Sequence, residues 1–352
     1  MANNLIFPNI SLPTIGVGSY ATPGWLFPFR KAMQEGKVGE ADITEAFEDA
    51  TRIAIADQVE AGMNIISDGE LQRQRFVFEM YDRITGITRQ KVERRLGVSG
   101  YDMAPSFVAD ERLQAPGGLG LVTEYETFKR LAPNGPVLKM ALPGPLTFAT
   151  NIVPGKAYGS GPGAQDELMA DVIAMLRAEL GALVAAGVEV IQLDEPGLPH
   201  PPEGMSVVDG AAAINKTLEG IDVKTAVHIC FGNNASRPFA RRDFGRLLPG
   251  MDQLKTDILM LEFANREMAD VETLADLGQD YHIAAGVIDV KNFHVETPDE
   301  VADRLRRILS FMPAEKLMVT TDCGFSAIPR WLAREKMVAM VQGTEIVRNE
   351  LT

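Results

Sequence analysis

Only four histidines and two cysteines occur in 352 residues, and one of each stands in the stretch TAVHICFGNN at 225–234. His228 and Cys230 lie two positions apart. On an extended strand, residues i and i+2 point to the same side, so this imidazole and this thiol can reach one ion. Glu262, in LEFAN, and Cys323, in TTDCGF, stand at the ends of two further apolar runs. Two thiolates, an imidazole and a carboxylate form a good donor set for Zn²⁺. The gaps of 31 residues between Cys230 and Glu262 and 60 between Glu262 and Cys323 exclude a zinc finger or ribbon. Such a site has to be assembled by the fold. The plainer reading is that the cysteines are small buried hydrophobes and that Glu262 caps a helix or pairs with a cation. Both cysteines falling at run ends favours the metal.

A thiolate-rich zinc is a weak electrophile, because its ligands already donate charge. It suits a different task from water activation: binding a thiol, removing its proton and holding the thiolate at neutral pH. A free thiol with a pKa of about 8.5 is mostly protonated there. Glu262, the weaker ligand, is the one expected to yield its place to a substrate sulfur. The expected reaction is attack of the thiolate on an electrophilic carbon, an S-alkylation.

Eight short apolar runs carry these residues or lie between them: 14–19, 63–68, 137–142, 188–194, 225–230, 258–263, 282–288 and 317–321. Near-continuous apolar runs suit parallel strands covered on both faces. Helical spacing fills 41–61 and 164–186, each stopped by a glycine, Gly62 and Gly187. A helix over 298–309 starts behind Thr297 with Pro298 in its first turn, and 332–347 closes the chain. This alternation predicts an α/β chain folded as a single-domain (β/α)8 TIM barrel over 1–352. Phe76–Pro136 reads as an insertion after the second strand that covers the barrel mouth. A doubly wound open sheet is disfavoured, since no Gly-rich dinucleotide loop follows any strand. In a barrel the chemistry sits at the C-terminal strand ends. Those ends read GVGSY, SDGE, LPGP, QLDEP, HICFGN, LEFAN, GVIDVKN and TTDCGF.

The net charge of −14 and the absence of a basic stripe argue against nucleic acid and anionic membrane surfaces. No run reaches the roughly 18 apolar residues of a membrane span, and the N-terminus lacks the pattern of a signal peptide. Two cysteines provide no disulfide framework, so a reducing cytoplasm is expected. Oligomeric state is not legible.

IQLDEP, HIC, LEF and DCGF, in this order and spacing, resemble the C-terminal catalytic barrel of cobalamin-independent methionine synthase. GVGSY and SDGE resemble the first strands of the same barrel. The likeness runs from about residue 14 to 348 and is weakest across 76–136. The full-length synthases have two barrels and this chain has room for one, as in the short relatives. The resemblance implies zinc on His228, Cys230, Glu262 and Cys323, and amino-acid contacts at Ser19, Glu70 and Asp194. The plainer alternatives are a loop-ordering carboxylate for Asp194, an ion pair with Arg73 or Arg75 for Glu70, and a turn serine for Ser19.

Two departures stand out. The full-length enzymes carry a histidine two residues after the aspartate of the seventh strand. Here that position is Lys291, a catalytic cation beside the leaving group or a solvated side chain, with His294 three residues on. The tryptophan that stacks folate is also missing from its segment; only Trp25 and Trp331 occur. The expected partners are a small thiol, homocysteine or a relative, and an alkyl donor: a folate, a methylcorrinoid protein or a small electrophile. Similar barrels open epoxides with coenzyme M, and Arg73, Arg75, Arg237 and Arg266 are the cations its sulfonate would need. Methylcobalamin:coenzyme M methyltransferases and the metal-free uroporphyrinogen decarboxylases share the barrel. A zinc store, and a phosphate site at Cys323–Ser326, are the remaining alternatives.

Overall fold

The computed structural model describes residues 6–7, 10–73, 78–90, 106–161, 163–202, 204–233, 238, 240–278 and 280–352. Seven parallel strands form one sheet: Ile65–Ile66, Val137–Pro143, Val190–Asp194, Lys224–Ile229, Ile258–Glu262, His282–Ile288 and Leu317–Thr321, each paired with the next. The segment at 14–15 closes it. Thr14 bridges Val319 on one edge and Ile15 bridges Ile65 on the other, both in parallel. The architecture is therefore the expected (β/α)8 TIM barrel.

The first two staves are shorter than their apolar runs, because side chains take over the ladder. Thr14 N–H donates to Asn64 Oδ1 at 2.9 Å, and Asn64 N–H donates to Thr14 Oγ1 at 3.0 Å. Ser67 N–H donates to Gln58 Oε1 at 3.0 Å, and Gln58 Nε2 donates to the Ser67 carbonyl at 2.8 Å. A glutamine on the preceding helix thus serves as the strand partner, and the run at 63–68 keeps only Ile65–Ile66 as strand.

The helices begin and end where their signals stand. Glu40–Ala61 and Ala164–Ala186 stop at Gly62 (φ 85°) and Gly187 (φ 89°), both left-handed, a conformation cheap only for glycine. Thr297 accepts from Glu300 N–H at the start of Pro298–Leu309, and Arg330–Leu351 closes the chain. No helix among the described residues is long and apolar enough to cross a membrane.

Within 76–136, strands Thr85–Arg89 and Phe107–Gln114 pair antiparallel, and Ile152–Pro154 joins them in a second, three-stranded sheet. The helix Leu121–Leu131 follows. Residues 76–77 and 91–105 lie outside the described residues.

Strand alternation sorts the side chains into two sets. Ile15, Ile65, Val190, Ala226, Ile258, Met260, Ala284 and Met318 form one small apolar cluster, the barrel interior. Their neighbours Ile66, Ile191, Val227, Leu259, Ile283 and Val319 belong to the larger cluster that packs under the helices. Two residues further along the same strands, the interior set turns polar: Val190 gives way to Gln192 and Asp194, Ala226 to His228, Met260 to Glu262, and Met318 to Thr320. An apolar floor and a polar upper layer follow from a period of two.

Candidate metal centre and substrate cavity

The strand ends bring His228, Cys230 and Cys323 together. One donor atom from each lies within 4.8 Å of the others. The two sulfurs are 3.9 Å apart and both cysteines are unpaired. The hydrogen bond between them, and then burial, pushes the Cys230 thiol well above its usual range. The same bond, with His228 and Lys291 nearby outweighing burial, pulls Cys323 down to about 7. The shifts run in opposite directions, so the bond favours the proton on Cys230.

His228 is buried, and its Nδ1 lies 2.9 Å from Asp194 Oδ1. A carboxylate only accepts, so Nδ1 carries the proton, while Nε2 stands 3.4 Å from the Asp322 carbonyl. Burial works to lower the pKa of the ring, but the Asp194 hydrogen bond and the charge of Cys323 outweigh it and the net shift is upward. Asp194 is itself fixed by Gln192 Nε2, which donates at 2.6 Å. Lys139, fully buried, donates to the Val17 carbonyl at 2.7 Å and to Gln192 Oε1. Burial brings this lysine down to about 8 despite Asp194 and Glu70 nearby.

Glu262 is fully buried beside the cluster but outside its tight group of three. Its Oε2 accepts from Lys291 Nζ at 2.7 Å, and its Oε1 is buried with no partner among the described residues. Lys291 is therefore not solvated; its side chain is 1 % exposed. Burial opposes its charge, Glu262 more than restores it, and the pKa rises. His294, by contrast, is exposed and paired with Glu300 at 3.2 Å. Asp322, next to Cys323, accepts from the backbone N–H groups of Phe263 and Ala264 at 2.9 Å each and from that of Asn265. It thereby ties the loop after Glu262 to the loop that carries Cys323. Sequence reading missed this residue and Gln192; the only signal was an acidic residue directly beside a candidate ligand.

Above the cluster lies a cavity of about 340 Å³, whose lining includes Ser19, Glu70, Arg73, Asp194, Cys230 and Cys323. No described residue of 78–136 lines it. Glu70 sits in the left-handed region at φ 54°, a cost of about 1 kcal/mol for a residue with a Cβ. Its N–H is held by Asp68 Oδ1 at 3.1 Å. Burial, with Asp194 and Asp68 nearby and Arg73 opposing, pushes the Glu70 carboxyl up to about 8. The nearest guanidinium nitrogen of Arg73 is 3.5 Å from Glu70 Oε2, so the ion-pair alternative for Glu70 is present, loosely. Arg73 is bound more firmly to Glu124 and to the Ala141 carbonyl, both at 2.8 Å.

Of the other cations named for a sulfonate, Arg266 pairs with Asp270 and stacks on Phe231 and Phe244. Arg75 and Arg237 lie outside the described residues. Ser326 and Gly324 line the cavity, but the next helix starts only at Arg330. Trp25 and Trp331 are exposed.

The residues fit a metal ion. Two unpaired thiols and an imidazole converge, the imidazole is oriented by a carboxylate as metal-bound histidines are, and a buried carboxylate oxygen beside them has no partner. A buried oxygen left unpaired is costly, and a cation would remove that cost.

Comparison with known proteins agrees with the geometry. Residues 12–345 match the family described as cobalamin-independent synthase, catalytic domain. The chain is 33% identical over 340 residues to methionine synthase from Saccharolobus solfataricus, covering 97% of this chain and 96% of that protein. It is 32% identical over 341 residues to methionine synthase from Sulfurisphaera tokodaii, covering 97% and 94%. Among solved structures, the B12-independent methionine synthase from Shewanella sp. W3-18-1, in complex with selenomethionine, superposes with a TM-score of 0.80 at 28% identity, covering 97% of this chain and 99% of that one. The chain belongs to the cobalamin-independent synthase catalytic-domain family.

Proposed function

We propose that this chain is a zinc-dependent methyltransferase that methylates the sulfur of homocysteine, working as one barrel. The observation that carries the reading is the convergence of His228, Cys230 and Cys323 at the floor of a cavity that also holds Glu70 and Asp194. His228, Cys230, Cys323 and Glu262 would hold the ion. Bound there, zinc would lower the pKa of an incoming thiol so that it is ionised at neutral pH.

The chain's own residues then do the rest. Asp194 keeps the His228 ring in one tautomer and faces the cavity. Together with Glu70 it offers carboxylate oxygens to an α-ammonium group, and Ser19 lines the same wall. Lys291 holds Glu262 by one oxygen and leaves the other free. It places a buried positive charge beside the sulfur-binding end of the cavity. In the transfer the sulfur–carbon bond forms as the donor–carbon bond breaks, and the electron pair of that bond leaves with the donor. The donor is a methylated compound of small size, a folate or a methylcorrinoid protein. The unpaired thiols need a reducing compartment to stay available.

Metal content of the purified protein, with zinc-edge X-ray absorption before and after homocysteine, tests the reading. About one zinc per chain that gains a sulfur neighbour on adding homocysteine is the expected result. A protein that stays metal-free in excess zinc refutes it.

A further inference from the structure

One buried cation has no role in the reading above. Lys139 stands in the Val137–Pro143 strand, in register with Val190 of the next strand, and so at the level of the apolar lower layer of the barrel. It is 0 % exposed. A buried ammonium is costly unless its N–H groups are taken up. Lys139 Nζ gives one to the Val17 carbonyl at 2.7 Å and one to Gln192 Oε1. Asp194, Glu70 and Asp68 lie close enough to act on its charge, yet both of these bonds go to neutral oxygens.

The two bonds reach the supports of two cavity walls. Val17 lies two residues before Ser19, Gln192 lies two before Asp194, and Ser19 and Asp194 both line the cavity. On the Gln192 side the path runs atom by atom to the metal centre. An ammonium only donates, so the amide turns Oε1 to Lys139. Its Nε2 then faces Asp194 and donates to Oδ1 at 2.6 Å. The same Oδ1 lies 2.9 Å from His228 Nδ1. Gln192 therefore keeps the lysine one amide away from the carboxylate. A direct ion pair would occupy the lone pairs that Asp194 offers to His228 and to the cavity. The amide takes up one of them, and a bonded chain of this kind polarises each member in the same sense.

We propose that Lys139 is a positioning residue for His228: from the barrel floor, through the Gln192 amide, it holds Asp194 where Oδ1 orients the imidazole. Its consequence for zinc rests on the metal reading above. Lys139 does not line the cavity and bonds to none of the four candidate ligands.

The test is a double-mutant cycle between Lys139→Met and Gln192→Met. It is read by zinc affinity in a chelator competition and by the NMR signal of the His228 Nδ1 proton, assigned by its loss in His228→Gln. Lys139→Met is expected to weaken zinc binding about 3- to 10-fold, the worth of one hydrogen bond, and to move the proton signal upfield as the bond to Asp194 slackens. In the Gln192→Met background the same substitution is expected to change neither. An unmoved proton signal in Lys139→Met, or equal changes in both backgrounds, would overturn the proposal, and so would a zinc affinity that does not follow the signal. A lysine that only fills the barrel floor would lower Tm in both backgrounds and leave the His228 proton where it is. Should Lys139→Met not fold, Gln192→Met alone decides, since wild-type values there would break the relay at its middle. The proton signal is read in chelator as well. A wild type that binds no zinc therefore defeats the metal reading, while the relay stands or falls on the signal of the same protein.

Discussion

Lys291→Met tests whether Glu262 faces the metal. Among the described residues Lys291 is the sole hydrogen-bond partner of the Glu262 side chain: Oε2 has it at 2.7 Å and Oε1 has none. The two side chains are 1 % and 0 % exposed. Methionine preserves length and removes the charge, leaving a buried carboxylate with no counter-ion. Breaking one side of a buried pair costs about 3–5 kcal/mol. For 352 residues the unfolding entropy, at about 2.1 cal/mol/K per residue, is roughly 0.74 kcal/mol/K, so Tm falls by about 4–7 °C. With zinc bound, Glu262 has another cation beside it, and the fall in Tm should be less than half as large. Calorimetry in chelator and with one equivalent of zinc measures both. Lys336→Met is the control, since Lys336 and Glu296 form another fully buried pair, at 2.8 Å, and Lys336 bonds to none of the four candidate ligands. Its loss should not depend on zinc. An equal fall for Lys291→Met with and without zinc would refute the assignment of Glu262 to the metal.

Three further predictions follow from the same geometry. Asp194→Asn should weaken zinc binding about 10- to 100-fold in a chelator competition, because Asp194 sets the His228 tautomer; an unchanged affinity would mean that His228 needs no orienting partner. Glu70, pushed up to about 8 by burial, is protonated below that pH and must lose its proton to receive an ammonium. Methionine, whose sulfur carries no proton, should therefore bind about tenfold tighter per pH unit from 6 to 8 and level off above. Glu70→Gln should flatten that profile, and a wild-type profile already flat would remove Glu70 from the ammonium site. Gly324→Ala places a Cβ 2.0 Å from Ser19 Oγ and 3.0 Å from the Ser19 carbonyl. Overpacking of this kind costs about 1–3 kcal/mol and should show as both a lower Tm and weaker methionine binding; wild-type values in both would mean that the wall is soft.

What the sequence displays and what it hides divide along one physical line. Anything governed by strand alternation is legible. Ala226, His228 and Cys230 share a parity, as do Met260 and Glu262, so the polar upper layer of the barrel could be read before any coordinate was known. The helix stops at Gly62 and Gly187 are legible for the same local reason. The first two staves were read too long because Gln58 and Asn64 replace ladder bonds with side chains, and a side chain's hydrogen-bond partner is not a local property.

The interior bonds that organise the centre are non-local too. Lys291 reaches Glu262 across 29 positions, and Asp322 gathers N–H groups from 57 to 59 positions away. Position 291 was ambiguous from sequence for that reason: a lysine two residues past Asp289 can point to water or inward, and the choice depends on whether a carboxylate waits on the neighbouring strand. Glu262 waits there because it occupies the interior parity of the Ile258–Glu262 strand, which pairs directly with His282–Ile288. The same adjacency gives Glu262 a cation from the chain on one oxygen and would leave the other for an ion held by His228, Cys230 and Cys323. Held by Lys291 through one oxygen, Glu262 would not be an isolated buried charge whether or not its other oxygen faced an ion. The lysine at position 291 thus acts on the centre twice: it balances the buried charge of Glu262, and its own charge helps draw the Cys323 thiol down.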